Sequence, residues 1–261
     1  MQRTDWEGKK EVIRIDVDQG SPQWLAARLG IPTASQFHRI ITPKTCKLSA
    51  AADEYMHELL AEYFTGESVQ AADNQYMERG RAMEPEAVAW YEYQFDVETE
   101  RVGFCLRDDR SCGASPDRLV GDDGLLEVKC PSLTTHIGYL LDQGGAYRCQ
   151  LQGQLYVTGR KWIDFCSYNP AVKPDVYHFE RDEDFISLLD TAIKNFVLRL
   201  NDARTKLEAK GCVRAIPKGT HCQAKREDGS ECYGSIGLVQ TAQGWRCMAC
   251  KDEEGDSFER T

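Results

Sequence analysis

The chain has 261 residues, 41% of them hydrophobic, and a formal net charge of -10. That length and apolar share suffice for a real core, built as one large domain or as one domain with a small appendage. The acidity argues against indiscriminate nucleic-acid binding, which runs on Lys and Arg neutralising phosphates. The opening MQRTDWEGKKEVIRIDVD has no apolar run of signal-peptide length. No stretch reaches the ~18 apolar residues of a membrane span either, so a soluble, cytoplasmic protein is expected.

Local charge departs from the bulk value. From Gln19 to Ala52 there is no Asp or Glu, while Arg28, Arg39, Lys44 and Lys47 all fall there. A basic cleft and a chance thinning of acidic residues explain this equally well. Within the segment, Ser21-Pro22 opens QWLAARLG as an N-cap and first helical residue, and Gly30 stops the helix. TASQFHRII starts again at Thr33 or Ser35, and Ser49 is expected to cap the amphipathic run that Thr65-Gly66 closes. In NQYMERGRAMEPEAVAWYEYQF, Met83, Ala87, Trp90 and Tyr91 recur at helical spacing. Pro85 demands a helix start or a kink, which places Glu84 at or near the start of that helix.

VETERVGFCLR, CGASPDRLVG and GLLEVKCP read as strands, the last two joined by Gly121-Asp122-Asp123-Gly124 into an antiparallel hairpin. THIGYLLDQG and AYRCQLQGQLYV read as helices, WIDFCSYN and VYHFER as strands. A long helix follows from near Asp182, with Phe185, Leu188, Leu189, Ala192, Ile193, Phe196, Val197 and Leu200 on one face. The order α-β-β-β-α-β-β-α predicts the α/β class, with a central mixed sheet flanked by helices.

The hairpin SPDRLVGDDGLLEVKCP carries Asp117, Glu127 and Lys129 in otherwise apolar strands. Buried charge costs several kcal/mol unless it is paired or bound to a metal. Residues two apart on a strand share a face, so Glu127 and Lys129 project together, and Asp117 on the neighbouring strand can converge on them. Two carboxylates, with the Val128 carbonyl, suit a hard divalent ion such as Mg²⁺, which keeps waters and takes phosphate oxygens. An ion pair at a sheet edge is the plainer reading of the same charges. The full string of Pro-Asp, a turn and Glu-Val-Lys is far more specific than an acid-X-Lys match.

This hairpin resembles the PD-(D/E)XK nuclease signature, and the flanking segments resemble the phage lambda exonuclease group, the YqaJ-type viral recombinases. QGSPQWLAARLGIPTAS is similar to that group's W-x3-R-x-G-x2-TAS pattern at Trp24, Arg28, Gly30, Thr33, Ala34 and Ser35. EYMHELLAEYFTG, GRAMEPEAVAWYEY, AYRCQLQGQLYVTG and SYNPAVKPDVYHFERDE resemble its later blocks, over about residues 15 to 205. The resemblance implies a PD-(D/E)XK core with Asp117, Glu127 and the Val128 carbonyl as metal ligands and Lys129 as the catalytic lysine. Glu84 would assist from its helix. Gln150 would be the glutamine behind the site, with Gln152 and Gln154 close enough for the same role. Arg28, Ser35 and Ser115 would bind the 5′-terminal phosphate of DNA, a fit for guanidinium and hydroxyl donors.

The same resemblance implies a Mg²⁺-dependent 5′ to 3′ exonuclease, with a two-ion site in which Mn²⁺ can substitute. Its substrate would be the end of linear double-stranded DNA, digested to mononucleotides and a 3′ single-stranded overhang. It implies a ring-shaped homotrimer, a single-strand annealing recombinase as partner in recombination, and a phage or prophage protein working in a bacterial host. Two other readings stay open: an endonuclease of the same fold, and a non-catalytic adaptor that binds DNA ends.

Residues 1–211 are expected to form the exonuclease domain and residues 212–261 a separate cysteine-rich tail. Eleven cysteines, an odd count in a long chain with no export signal, point to reduced thiols. In the tail, Cys247 and Cys250 form a C-x2-C knuckle, and Cys222 and Cys232 are candidates to complete a structural Zn²⁺ site. The upstream pair is separated by nine intervening residues, unlike an ordinary zinc ribbon, and His221 is an alternative to Cys222. The other histidines, His38, His57, His136 and His178, fit no ligand spacing.

Overall fold

A computed structural model describes residues 12–43, 45–69, 75–214, 239–241 and 244–246. Strand β1 (Val12–Ile15) precedes helix α1 (Pro22–Arg28), whose first turn is closed by the Ser21 hydroxyl accepting from Trp24 N at 3.1 Å. A 3₁₀ turn (Ala34–Arg39) leads to α2 (Ala52–Thr65). The residue capping α2 is Ala51 rather than Ser49, whose hydroxyl accepts from Ala51 N at 3.3 Å one step earlier.

Helix α3 (Gln75–Phe95) corrects the expected position of Glu84. Pro85 lies inside the helix, so Glu84 sits in its middle and not at its start. A proline there forfeits one backbone bond and crowds the preceding turn, at a cost of ~3 kcal/mol. Packing outweighs that cost: Ala87, Val88 and Tyr91, beyond the proline, are buried against Val120, Leu126, Val128, Cys166 and Tyr168 of the sheet.

VETERVGFCLR is not one strand. It divides into β2 (Thr99–Arg101) and β3 (Phe104–Arg107), which join different sheets. The break falls at Gly103, where a Cβ would lie 2.2 Å from the Val17 carbonyl oxygen, so only glycine lets the crossing backbone pass. CGASPDRLVG divides likewise into β4 (Gly113–Ala114) and β5 (Arg118–Val120). The antiparallel sheet β1-β3-β4 forms one small layer.

The expected hairpin is present, β5 running antiparallel to β6 (Gly124–Lys129). Helices α4 (Leu133–Asp142) and α5 (Arg148–Thr158) then lead to β7 (Trp162–Asn169), β8 (Val172–Glu180) and α6 (Glu183–Ala209). The central sheet has the order β2-β5-β6-β7-β8, with β6 and β7 parallel and every other pair antiparallel. Asp182 caps α6 by accepting from Phe185 N at 3.0 Å. Phe185, Ile186, Leu189, Ile193, Phe196 and Leu200 of that helix are buried, each stabilising by roughly 1.5–3 kcal/mol. Leu188, expected on this face, is 50% exposed, and Ile186 takes its place.

Side-chain alternation along β6 sorts the sheet's two faces. Leu126 and Val128 pack under α3, while Leu125 joins the core beneath α5 and α6. Glu127 and Lys129 share Leu125's face. Among the described residues no helix is long and apolar enough to cross a membrane, and the seven described cysteines are free thiols. In the tail, β9 (Val239–Thr241) pairs antiparallel with β10 (Gly244–Arg246). The proposed zinc ligands Cys222, Cys232, Cys247 and Cys250, with His221, lie outside the described residues.

Candidate active site

The pleat of β6 aims Glu127 at helix α5, and the two meet closely. Gln150 Nε2 donates to Glu127 Oε1 at 2.6 Å, and Gln154 Nε2 donates to Oε2 at 2.6 Å. These glutamines are i and i+4 on α5 and so lie on one face of it. Gln152 faces away: its Nε2 donates to the Glu180 carbonyl at 2.8 Å, and its Oε1 accepts from Asp182 N at 2.9 Å, stitching α5 to the start of α6. Lys129 Nζ also contacts Glu127 Oε1. Glu127, 2% exposed, thus meets donors at both oxygens.

Asp117 reaches the same place from the residue before β5. Its Oδ2 accepts from Val128 N at 2.7 Å, tying the two hairpin strands together at the site. Burial, and then the charge of Glu127, push the Asp117 carboxyl well above the ordinary carboxylate range, against the pull of Lys129 and the Val128 N–H. Burial works to lower the pKa of Lys129, but Glu127 and Asp117 outweigh it, so the ammonium stays charged with its pKa above lysine's usual value. Glu84 is one link farther out. Arg118 Nη1 donates to Glu84 Oε1 at 3.1 Å and to the Asp117 carbonyl at 2.6 Å.

These groups fit a divalent cation. Two adjacent carboxylates share a single ammonium, and Asp117's pKa is raised first by burial and then by the neighbouring charge of Glu127, both of which a bound cation would offset. Among the described residues no three His, Cys, Asp or Glu side chains cluster to enclose a metal by themselves. One or two carboxylates suffice for a hard divalent cation whose shell water and substrate complete.

Arg28 and Ser115 are joined through Trp24. The Arg28 guanidinium lies 3.9 Å from the Trp24 ring centroid, and Trp24 Nε1 donates to Ser115 Oγ at 2.9 Å. Ser115 lies two residues before Asp117, and Gln19 Nε2 anchors the residue between them by donating to the Pro116 carbonyl at 2.8 Å. The Ser35 hydroxyl lies 3.4 Å from Thr33 Oγ1, and among the described residues no hydrogen bond joins it to Arg28 or Ser115. Arg39 is held by Glu58 through bonds of 2.6 and 2.8 Å. Arg28, in contrast, makes no hydrogen bond or ion pair among the described residues. Glu62 is nearby, but its oxygens accept from Gly30 N, Ser68 Oγ and Val69 N. Burial lowers the pKa of Arg28, with Tyr55 and Glu62 partly restoring it. An unpaired, partly desolvated guanidinium is a strong site for an incoming anion.

The model of the YqaJ-like viral recombinase domain matches residues 23–161. The chain belongs to that family. Its fold matches the crystal structure of an alkaline exonuclease, LHK-Exo, from Laribacter hongkongensis at a TM-score of 0.67 and 34% identity, covering 73% of this chain and 98% of that one. The same relative in complex with dAMP matches equally, at 0.67 and 34%. A phage-related exonuclease from Haemophilus somnus 129PT matches at a TM-score of 0.57 and 15% identity, over 68% of this chain and 96% of that one, which speaks for the fold alone. No curated protein matches the chain. The central mixed sheet flanked by helices is thus the PD-(D/E)XK exonuclease architecture.

Sequence reasoning did not assign Arg118 or Trp24 a place in the site, and it left Gln154 as an alternative to Gln150. Arg118 interrupts the apolar run of its strand, a signal that was readable. Trp24 stands four residues before Arg28, one helical turn, which was readable too. Gln154 was one of three glutamines at alternate positions, and only the helix's rotation singles it out.

Proposed function

We propose that the protein is a Mg²⁺-dependent 5′ to 3′ exonuclease that degrades linear double-stranded DNA from its ends, releasing mononucleotides and leaving a 3′ single strand. The observation that carries this reading is the convergence of Asp117, Glu127 and Lys129 in a chain 34% identical to an alkaline exonuclease. Asp117, Glu127 and the Val128 carbonyl would hold Mg²⁺, in a two-ion arrangement that Mn²⁺ can also fill. The metal, when bound, neutralises phosphate charge and acidifies water.

The chain's own groups do the rest. Gln150 and Gln154 fix both oxygens of Glu127, so its carboxylate is presented in one orientation. Arg118 links Glu84 to the backbone of Asp117 and holds the helix to the hairpin. Lys129 carries its positive charge to the scissile phosphate, orienting the attacking water and offsetting charge that develops on the phosphoryl oxygens. Arg28, with Ser115 and Ser35, takes the 5′-terminal phosphate, which sets the direction of digestion.

A chain of charge -10 needs more than bulk attraction to stay on DNA. A homotrimeric ring with a basic channel supplies topology instead, and a single-strand annealing recombinase is the natural consumer of the 3′ strand. We place the enzyme in the bacterial cell, as a phage or prophage recombination protein. Residues 1–211 would form the nuclease domain and 212–261 a tail with a Cys222, Cys232, Cys247 and Cys250 zinc site.

The test is digestion of linear duplexes with and without 5′-phosphate, alongside a covalently closed circle, in Mg²⁺ and in EDTA. Rapid loss of the 5′-phosphorylated linear form, with the circle intact and EDTA abolishing the reaction, is expected. Cutting of the closed circle would establish an endonuclease instead. Binding of ends without nucleotide release in Mg²⁺ or Mn²⁺ would establish an adaptor.

A further inference from the structure

The loop between α4 and α5 holds Tyr147 beneath the active-site lysine. Lys129 Nζ lies 5.5 Å from the centroid of the Tyr147 ring. The ring itself is fixed from two directions. It stacks on Phe165 of β7 at 5.0 Å and 28°, and its hydroxyl meets that of Tyr139 on α4 at 2.6 Å. Tyr139 also packs edge-on against Phe165 at 5.9 Å, so three aromatic rings brace one another. Phe165 pairs with Glu127 in the parallel β6–β7 register, which places the cluster directly beside the carboxylate that Lys129 contacts.

A single hydrogen-bonded partner would hold Lys129 Nζ at Glu127 and away from substrate. A π face attracts an ammonium without fixing its direction, so the charge can pivot while it stays in the site. We infer that Tyr147 is a positioning residue for Lys129, acting through its ring face, a role that rests on the function proposed above for Lys129. The hydroxyl serves only to anchor the ring to Tyr139. The loop's Gly144-Gly145 is therefore more than a turn signal, because it delivers the ring to this place.

The experiment compares Tyr147→Met, Tyr147→Phe and Lys129→Met in the full chain, with kcat and KM on 5′-phosphorylated duplex and a thermal midpoint for each. Tyr147→Met keeps bulk and loses the face, and should lower kcat about 3- to 30-fold while KM moves little. Tyr147→Phe keeps the face and should recover most of that loss. In a Lys129→Met background, followed with enzyme in excess, Tyr147→Met should cost nothing further. A second series, with singly to multiply fluorinated phenylalanine at position 147, leaves shape nearly constant, and kcat should fall stepwise as the ring face loses its negative potential. No trend with fluorination, equal damage from Phe and Met, or an undiminished Tyr147→Met effect without Lys129 would each overturn the inference. Full activity in Lys129→Met alone would instead remove the chemical role proposed for Lys129, and this inference with it.

Discussion

Gln154 donates its amide to Oε2 of Glu127 at 2.6 Å, the oxygen that Gln150 and Lys129 leave free. The Oε1 of the same Gln154 is buried and has no hydrogen-bond partner among the described residues. One side chain therefore combines a bond to the site with an unpaired acceptor, and the two affect stability in opposite directions.

Gln154→Leu should accordingly separate activity from stability. It removes a charge-assisted bond to Glu127, but it also removes the orphan oxygen and places an apolar group in an apolar layer. Stability should change by no more than about 1 kcal/mol. The turnover number should fall about tenfold, as the carboxylate loses one of its supports. Thermal melting and steady-state digestion of a linear duplex check both halves. Gln152→Leu should show the reverse, a stability loss with turnover retained, because its bonds go to Glu180 and Asp182.

The glutamines also mark how far the sequence could be read. Alternation along Leu125, Leu126, Glu127, Val128 and Lys129 fixed which face carries charge, and the helical spacing of α6 fixed its buried side, except at Leu188. Those are local periodicities. Pro85 misled because burial of Ala87, Val88 and Tyr91 overrides a local helix breaker. VETERVGFCLR misled because the break at Gly103 is imposed by the backbone near Val17, far away in the chain. Neither the rotation of α5 nor the path of Trp24 to Ser115 is encoded locally. Both follow from packing between distant segments.

Trp24→Phe should weaken the recognition of a 5′-phosphate without abolishing hydrolysis. Phenylalanine keeps an aromatic face for Arg28 but cannot donate to Ser115, so the link between the two residues proposed to bind the phosphate is cut. The ratio of rates on phosphorylated and unphosphorylated ends should fall about 3- to 10-fold, the worth of one hydrogen bond of ~1 kcal/mol. Arg28→Gln should bring the ratio close to one. Equal ratios in wild type and Arg28→Gln would assign the terminal phosphate to another residue.

Asp117 makes the stability of the metal-free protein depend on pH. Its folded-state pKa is raised by burial and by Glu127. A carboxyl raised in this way contributes stability that is fully present below its unfolded value and is lost as pH rises through the folded value. At alkaline pH in EDTA, ionisation of Asp117 therefore weighs against the fold. Asp117→Asn, which retains an acceptor for Val128 N, should melt higher than wild type under those conditions. The difference should shrink as pH falls through the raised folded-state value and close near about 4, the unfolded value, below which the carboxyl is protonated in both states. Added Mg²⁺ should raise the wild-type midpoint, by an amount that approaches ~2.7 kcal/mol at a hundred times its Kd, and leave the variant nearly unmoved. Differential scanning calorimetry over this pH range, with and without Mg²⁺, provides the check.

Gly144→Ala should injure both stability and turnover, by one mechanism. Gly144 has φ of 73°, and a Cβ there would lie 2.9 Å from Cδ1 of Phe165. The left-handed backbone alone costs roughly 1–2 kcal/mol for a residue with a side chain. The contact adds to this unless Phe165 gives way, and Phe165 is fully buried under Tyr147. The thermal midpoint should drop by roughly 2–8 °C for a chain of this size. If the loop instead shifts to relieve the contact, Tyr147 moves with it, and kcat falls while KM for duplex DNA holds. Gly145→Ala is the control: Gly145 lies outside the left-handed region, and the nearest neighbour of its Cβ would be the Asp142 carboxylate at 3.4 Å. That variant should melt and turn over close to wild type, and a Gly144→Ala enzyme that does the same would show that the loop does not set the position of Tyr147.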